Sequence, residues 1–390
     1  MVPSLKPHIL IFEPGLEGHH LSWLRYITGD FVAAGFTVTA AVDGRPGAME
    51  RVRECLSGIV ESKSIISIFD ASGRPRGGSM TEALAACLHE SGADEAFLNN
   101  LDEIASHSLR CAALGIYPPE GLRGRLSGVY FRPRFLADPA WPLGNALKGY
   151  GFGKLCRERW FKRIYFMDEG LVAAAQRSFS GPSFHFLPDP WDGTFTQDRT
   201  EARNLLGIGK DRFVLLNYGI GDRRKGLHLV VRAMEAIPGD SGIFLICAGR
   251  MSRDRRLAAA MARLVEQGRA LVLDRYVSDR EERLCFCASD VVILPYLKHF
   301  GSSGVLSLAA AAGKMVIASD AGLVGRRVRE HELGWLFQPG NADDLKQRIG
   351  EASLLSEPDM NRFSDAASRY APLCSRAAFG EALISPFNYG

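Results

Sequence analysis

Apolar and polar positions alternate between strand-like and helix-like patterns throughout the second half of the chain. Residues 213–218 (FVLLNY) form an apolar run typical of a buried strand, and residues 227–237 (LHLVVRAMEAI) have helical apolar spacing. The alternation continues through the further strand runs IFLICAG, ALVLDRYV, DVVILPY, MVIASD and GWLFQP. Strands that are apolar on both faces and alternate with helices predict a parallel sheet covered on both sides. We therefore expect a doubly wound, Rossmann-like domain over residues 186–365.

The first half begins with the same pattern. A strand (HILIF), a glycine-containing loop (EPGLEGHH), a helix (LSWLRYITGDFVAAG) and a second strand (FTVTAAVD) follow one another. This order predicts another Rossmann-like domain over residues 1–185, and we expect residues 366–390 to form a C-terminal helix that packs back on it. The predicted fold class is α/β, with two Rossmann-like doubly wound domains facing each other across a cleft.

Composition excludes several classes of protein. Apolar residues make up 46% and charged residues 23% of the 390 residues, the balance of a soluble globular protein. No apolar run approaches the roughly 18 residues that span a bilayer, and Glu13 interrupts the first apolar run. The eight cysteines have no framework spacing, which favours reduced thiols and a cytoplasmic location.

Charge is concentrated in one segment. Residues 121–163 contain ten Lys or Arg and two acidic residues, interleaved with aromatic residues, although the net charge of the whole chain is only +3. Such a segment can lie on an anionic membrane surface, contact nucleic acid, or form a solvated face whose aromatic residues belong to the core. The sequence pattern leaves these three interpretations open.

Two loops at predicted strand-to-helix junctions have the chemistry of a phosphate site. GIGDRRKG (219–226) places three cations before a helix, and FGSSG (300–304) is a small-residue turn before another. Helix N-termini present free N–H groups and a partial positive charge, so the two loops together predict a diphosphate site. In the alternative interpretation, Ser302 is simply a helix N-cap. The expected donor-binding residues here are Gly221, Arg223, Arg224, Lys225, Gly301, Ser302, Ser303, Gly304 and Val305.

Other ligand-binding and catalytic motifs are absent from the sequence. GYGFGKL lacks the spacing of a P-loop, GLEGHH lacks the G-x-G-x-x-G fingerprint, and no G-x-S-x-G elbow occurs. His19 and His20 do not form an H-E-x-x-H zinc motif. These absences argue against nicotinamide redox chemistry, a P-loop NTPase, a serine hydrolase and a zinc site.

An ordered set of blocks resembles the donor-binding domain of retaining GT-B glycosyltransferases, the group 1 or family 4-like enzymes. The blocks are LPDPWDGTF, IFLICAGR, RYVSDREERLCFCASDVVILP, SGVLSLAAAAGKMVIASDAG and GWLFQPGNADDL, together with the strand that precedes Lys225-Gly226. They cover residues 186 to about 350, and the first half is similar more loosely. The resemblance implies a hexosyltransferase that moves a sugar from a UDP- or GDP-sugar to a glycan or lipid-linked acceptor, with retention and without a metal ion.

The resemblance also implies roles for individual residues. Lys225 matches the lysine that neutralises the donor diphosphate, and Arg224 and His19 are expected to act with it in catalysis. Ile220 stands where the family has an arginine, so Arg223 or Arg224 is expected to replace it. The family's two glutamates fall on Phe300 and Leu308 in one register, and the first falls on Lys298 in another. Because no carboxylate stands there, a non-catalytic nucleotide-sugar-binding or scaffold protein is the alternative, followed by an isomerase.

The GLEGHH loop and the FLNNLDEI segment supply the candidates of the first domain. Gly18 is expected to let the backbone approach the donor. His20, Asn100 and Asp102 are expected on the acceptor side, with Asn99 beside them just past the predicted strand. The competing interpretation has one histidine packed inward and the other solvated. Asp168, Glu169 and Asp189 are expected to be helix caps or turn formers.

The acceptor-side prediction extends to residues 121–163. That segment is expected to face the anionic inner surface of a membrane, where a lipid-linked or polysaccharide acceptor would lie, so the protein is expected in the cytoplasm and peripherally on the membrane. The expected process is polysaccharide biosynthesis. Nucleic acid is not an expected partner.

Overall fold

A computed structural model describes residues 6–17, 20–137, 143–251 and 254–388. The chain divides into two compact units, one of residues 1–187 with 379–390 and the other of residues 188–378. In the sequence-based division the boundaries stand at 185 and 365. In the described ranges, no helix is both long and apolar enough to cross a membrane.

The first unit is built on a parallel sheet. Its strands are β1 (His8–Glu13), β2 (Thr37–Val42), β3 (Ile65–Ser67), β4 (Glu95–Leu98), β5 (Leu126–Val129), β6 (Phe161–Phe166) and β7 (Ser183–Phe186). Over the described residues the strand order is β3-β2-β1-β4-β5-β6-β7, so the direction of winding reverses between β1 and β4. The connecting helices are α1 (His20–Ala33), α2 (Ala48–Cys55), α3 (Met80–Ser91), α4 (Asp102–Ala113), α5 (Arg134–Ala137), α6 (Leu143–Arg157) and α7 (Glu169–Ser178).

The second unit repeats this architecture. Its strands are β8 (Phe213–Tyr218), β9 (Ile243–Ala248), β10 (Ala270–Leu273), β11 (Val291–Leu294), β12 (Met315–Ser319) and β13 (Gly334–Phe337), all parallel, in the order β10-β9-β8-β11-β12-β13. The helices are α8 (Arg199–Leu205), α9 (Leu227–Ala236), α10 (Arg255–Glu266), α11 (Asp279–Ala288), α12 (Gly304–Ala311), α13 (Gly322–Glu330), α14 (Ala342–Ser353) and α15 (Glu357–Tyr370). Winding reverses between β8 and β11.

The two covered parallel sheets explain why the strand sequences are apolar on both faces. The side chains of β1, β9 and β11 are almost all buried, because helices cover both faces of a parallel sheet and leave no polar face. The predicted fold class, two doubly wound Rossmann-like domains, is confirmed.

The C-terminal segment is shared between the units. Ala366, Ala367 and Tyr370 of α15 are buried in the core of the second unit, so the chain leaves that unit later than residue 366. The last helix, α16 (Arg376–Asn388), buries Phe379 and Leu383 in the core of the first unit. The Tyr165 hydroxyl donates to the Leu383 carbonyl at 2.8 Å, which fixes this helix against β6.

Most aromatic residues of the basic segment 121–163 are core residues. Tyr130, Phe135, Phe152, Trp160 and Phe161 are buried and contact one another or further aromatic rings. Tyr150 is exposed, and Trp141 lies outside the described residues. Aromatic interleaving in the sequence therefore reflects the interior of the first unit, and the exposed residues of the segment include Leu143, Leu147 and Tyr150 of α6.

Candidate functional site

The two loops predicted to bind phosphate are neighbours in the second unit. One follows β8 and the other follows β11, and these strands pair in parallel at the point where the winding reverses. In doubly wound sheets, ligands bind outside the carboxyl ends of the strands at this switch point. The tertiary structure thus brings residues 219–226 and 295–303 to the position where the fold class places ligands.

Backbone and side-chain contacts join the two loops. The Leu297 amide donates to the Arg224 carbonyl at 3.0 Å, and Arg224 Nη1 donates to His299 Nδ1 at 3.0 Å. Gly226 has φ 76°, and a Cβ there would lie 1.9 Å from the Pro295 carbonyl oxygen. The second loop can approach this closely only because residue 226 has no side chain.

The cations of the first loop have different surroundings. The Asp222 carboxylate accepts from the Lys225 amide at 2.6 Å and pairs with Arg224 at 3.4 Å, whereas Arg223 is exposed. Lys225 Nζ lies 5.5 Å from the centre of the Tyr296 ring, and a Cβ on Gly219 would lie 3.3 Å from this ammonium. Among the described residues Lys225 forms no ion pair. Its ammonium therefore lies over an aromatic face without a carboxylate at ion-pair distance among the described residues, while the charge of Asp189 acts on it from farther away.

The helix start after the second loop has no side-chain cap. Ser303 is the N-cap residue of α12, but its hydroxyl lies 3.0 Å from the Tyr296 hydroxyl and makes no capping bond. Ser302 Oγ donates to Asp189 Oδ2 at 2.8 Å. The alternative that Ser302 is an N-cap is therefore wrong. The first turn of α12 therefore has no side-chain cap, as the first interpretation of FGSSG requires, although the Asp189 carboxylate lies beside it: a Cβ on Gly304 would lie 3.5 Å from Asp189 Oδ1.

Asp189 is a member of this cluster that the sequence did not predict. Its side chain accepts from Ser302, and its main-chain carbonyl accepts from Ser307 Oγ at 2.8 Å. Burial raises the pKa of Asp189 to about 6, against the opposing influence of the Ser302 hydrogen bond and of the Arg327 and Lys225 charges. Asp189 thus connects the start of the second unit with the start of α12, and it is more than a turn former.

His299 also escaped the sequence analysis. Because Arg224 donates to Nδ1, the ring proton is on Nε2, which donates to the Ser302 carbonyl at 2.6 Å. Burial lowers the pKa of His299, so the neutral form that makes both bonds is favoured at pH 7. No motif signals this role, because His299 connects two loops that are distant in the sequence.

The positions of the family's glutamates hold no acid here. Phe300 and Leu308 are partly buried apolar residues, and Lys298 is exposed. The carboxylates that do lie in the two loops and beside them are Asp222 and Asp189. Asp222 stands within the quoted GIGDRRKG motif and could have been singled out, whereas Asp189 could be found only from the tertiary contact.

The first unit holds the remaining predicted residues. Gly18 and His19 lie outside the described residues. His20 begins α1, and its Nδ1 lies 2.9 Å from Oε1 of the buried Glu13, which also accepts from the Gly15 amide at 2.7 Å. Although burial lowers the pKa of His20, the hydrogen bond and charge of Glu13 raise it above its ordinary value overall. His20 therefore faces the end of β1.

Asn100 and Asp102 have partners within the first unit. Asn100 Oδ1 accepts from the Asp102 amide at 3.1 Å, and its Nδ2 donates to Glu103 at 3.2 Å. Asp102 Oδ2 accepts from the Phe131 amide at 2.8 Å, and burial raises the pKa of this carboxyl. These bonds hold the loop after β4 to the loop after β5. Asp168 caps α7 through the Gly170 amide, as predicted.

The described residues contain no group of three or more His, Cys, Asp or Glu side chains arranged to hold a metal ion.

Comparison with known proteins agrees with this geometry. Residues 198–370 match the family model for glycosyl transferases group 1. HepE of Anabaena, solved in complex with UDP and glucose, superposes with a TM-score of 0.71 at 17% identity, covering 98% of this chain and 100% of its own. The sucrose-phosphate synthase of Thermosynechococcus elongatus superposes with a TM-score of 0.71 at 17% identity, covering 98% of this chain and 99% of its own. No curated protein sequence matches the chain.

A third similar structure is WaaG, a glycosyltransferase involved in lipopolysaccharide biosynthesis. It has a TM-score of 0.67 at 15% identity and covers 98% of this chain and 99% of its own. The chain therefore has the GT-B fold, as the sequence blocks predicted, and its segment 198–370 matches the group 1 glycosyl transferases.

Proposed function

We propose that the protein transfers a sugar from a UDP-sugar to a glycan or lipid-linked acceptor with retention of configuration. The observation that carries the donor part is that the Lys225 ammonium, which forms no ion pair among the described residues, and the start of α12, which has no side-chain cap, both lie at the switch point of the second sheet. A diphosphate would supply negative charge to both groups. The UDP complex of HepE supports uridine as the nucleoside.

In this proposal the second unit stabilises the leaving group. As the bond between the sugar's anomeric carbon and the phosphate oxygen breaks, negative charge grows on the diphosphate. Lys225, Arg224 and the amides at Ser303 and Gly304 would stabilise that charge more strongly in the transition state than in the bound donor. The acceptor oxygen bonds to the anomeric carbon on the same face, and its proton passes to the leaving phosphate.

The remaining predicted donor residues have supporting roles. Gly221, Gly301 and Val305 would offer backbone close to the phosphates, and Arg223 is an exposed cation beside them. Ser302 would act through its bond to Asp189. Gly18 and His19 are proposed to approach the donor, and His20 with Asn100 and Asp102 to face the acceptor, as the family resemblance implies.

The donor proposal is tested by nucleotide titration of the full chain. We expect UDP to bind more tightly than GDP in isothermal titration, and Lys225→Met to weaken UDP binding 10- to 100-fold, since a charge-assisted hydrogen bond contributes about 1.5–3 kcal/mol. Lys210→Met is the matched control, because Lys210 is exposed and precedes β8 at the opposite edge of the sheet. Equal losses in the two variants, or none in either, would refute the donor site.

A second candidate function is nucleotide-sugar binding without transfer. It is favoured by the absence of carboxylates at Phe300 and Leu308. Release of UDP from UDP-sugars separates the candidates, because a binding protein would be stabilised by UDP-glucose without releasing UDP, even after membrane extract has been added as a source of acceptors. Transfer requires release that is lost in Lys225→Met.

The acceptor part of the proposal rests on the exposed stripe of α6. Leu143, Leu147, Tyr150 and Lys154 follow one another at spacings of four, three and four, which places them on one helix face. Leu143 is 92% and Tyr150 is 59% exposed. Apolar side chains beside basic residues suit the boundary of an anionic bilayer. The lipopolysaccharide pathway of WaaG supports an acceptor of this kind.

The membrane proposal is tested by co-sedimentation with vesicles. The protein should pellet with vesicles that contain phosphatidylglycerol and not with pure phosphatidylcholine, and binding should fall as salt rises. Leu143→Gln combined with Tyr150→Gln should reduce binding several-fold. Leu354→Gln is the control, because Leu354 is 86% exposed in the second unit. Binding that ignores lipid charge, or that survives the double substitution, would contradict the proposal.

A further inference from the structure

The carboxylate of Asp189 lies beside the start of α12, where the proposed donor site needs positive charge. A Cβ on Gly304, the first residue of this helix, would lie 3.5 Å from Asp189 Oδ1, and Ser302 Oγ donates to Asp189 Oδ2 at 2.8 Å. The N-terminus of a helix attracts anions through its free amides and its dipole. Asp189 is therefore an anion of the protein itself, at the place where the diphosphate is proposed to bind.

Groups from four neighbouring segments act on the Asp189 carboxyl. The Ser302 hydrogen bond and the charges of Arg327 on α13 and Lys225 after β8 favour the ionised form. Cys374, in the turn that follows α15, is the other titratable neighbour, and burial raises the pKa of its thiol to about 11, so it is uncharged near neutral pH. Burial of Asp189 outweighs the favourable groups and raises its pKa to about 6. The carboxyl therefore gains or loses a proton readily near neutral pH.

A diphosphate bound at the start of α12 would lie close to the Asp189 charge. Both anions would be stabilised by the same groups, the Lys225 ammonium and the free amides of the helix. Two like charges that share a site in this way destabilise each other, and the weaker acid of the pair takes up a proton. Asp189 is the group that can do so without losing its contact, because one oxygen of a protonated carboxyl still accepts from Ser302.

We propose that binding of the donor's diphosphate is coupled to the uptake of a proton by Asp189, so that donor affinity falls as the pH rises. Without a donor, the ionised carboxylate lies at the positive end of α12. When the diphosphate binds, the protonated carboxyl keeps its bond to Ser302 and leaves the positive charge to the phosphates. The inference rests on the proposed function and deepens it, since Asp189 becomes a positioning residue that sets the pH dependence of the donor site.

Isothermal titration of the full chain with UDP provides the test. At pH 7, titrations in PIPES, MOPS and imidazole buffers, which differ in their enthalpies of ionisation, give the number of protons taken up per UDP. The parent protein should take up at least about 0.3 proton more than Asp189→Asn, because the asparagine cannot be protonated. Protons that UDP itself exchanges cancel in this difference.

The pH dependence of UDP affinity gives a second readout that a purely structural role would not change. At pH 8 the Asp189→Asn variant should bind UDP at least about fivefold more tightly than the parent protein, and at pH 5 the two should agree within about twofold. Ser302→Ala serves if the asparagine variant fails to fold. It removes a bond that favours the ionised carboxyl, so the pH above which UDP affinity falls should move upward.

The matched control is Asp240→Asn, which removes the same charge from the second unit. Asp240 is exposed and precedes β9 at the opposite edge of the sheet, so proton uptake and UDP affinity should equal those of the parent protein. An equal change in the two asparagine variants overturns the inference.

The outcomes keep this inference apart from the donor proposal. UDP binding with equal proton uptake in the parent protein and Asp189→Asn, or binding that is no tighter in the variant at pH 8, overturns only the present inference. Absence of UDP binding by the parent protein throughout this pH range refutes the donor proposal and the inference with it.

Discussion

Replacing Asp189 by asparagine should stabilise the protein at neutral pH. Burial raises the pKa of this carboxyl from 3.8 to about 6, so the fold holds the acid proton more tightly than the unfolded chain does. Ionisation therefore acts against folding: its effect is absent well below pH 4, grows between about pH 4 and 6, and is complete above. A shift of about two pKa units corresponds to about 3 kcal/mol.

Asparagine removes this ionisation and retains the main contact. Its Oδ1 can accept from Ser302 Oγ, as the carboxylate does at 2.8 Å. At pH 8 we expect Asp189→Asn to raise the free energy of unfolding by up to about 3 kcal/mol, with the gain decreasing towards pH 4. The loss of attraction to Arg327 and Lys225 reduces the gain without changing its sign, because those charges are already included in the raised pKa.

Scanning calorimetry of both proteins between pH 4 and 8 provides the measurement. The informative quantity is the difference between the variant and the parent protein at each pH, since other titrating groups cancel in it. Parallel stability profiles across this range would refute the reasoning, because they would mean that Asp189 titrates alike in the folded and unfolded states. Lower stability of the variant at pH 8 would show that the carboxylate is held by its ionic partners.

Two further substitutions test the junction of the donor loops. Gly226→Ala should lower the free energy of unfolding by at least about 2 kcal/mol more than Gly242→Ala, as measured by urea unfolding. Both glycines have φ near 75°, but only the Cβ at residue 226 would meet another atom, the Pro295 carbonyl oxygen at 1.9 Å. His299→Ala should weaken UDP binding three- to tenfold, because Arg224 loses its hydrogen bond to the imidazole. His89→Ala is the control, since His89 is exposed, and UDP titrations that are unchanged in both variants would contradict the bridging role of His299.

The sequence predicted the donor loops but not all of their contacts. Lys225, Gly226 and the turn 301–304 were identified because a glycine-containing turn before a helix has a local signature. The roles of Ser302 and His299 depend on partners elsewhere in the chain. Ser302 bonds a residue 113 positions earlier, and His299 bonds Arg224, 75 positions before it. Such contacts have no spacing that a sequence can display.

The basic segment 121–163 shows a related limit of prediction from the sequence. Its composition is visible in the sequence, but which aromatic residues face the interior depends on how α6 and β6 pack. Phe152 is buried and Tyr150, two residues earlier on the same helix, is exposed. A hydrophobic pattern with small residues such as Gly149, Gly151 and Gly153 on every side does not fix the helix orientation. Close packing decides it, since a Cβ at Gly151 would lie 1.8 Å from the Leu109 carbonyl oxygen.

The sequence by itself determined the fold class and the chemistry of the donor loops. Strands that are apolar on both faces and alternate with helices are compatible with little besides a covered parallel sheet, and periodicity is a local property. Only the tertiary structure decided between Asn99 and Asn100, two identical neighbours in the sequence. The Asn100 side chain has partners within its own loop, whereas the Asn99 side chain is buried beside β1 without a hydrogen-bond partner in the part of the chain that the structure describes. Whether a buried polar group is satisfied depends on every atom packed around it, and the fold alone brings those atoms together.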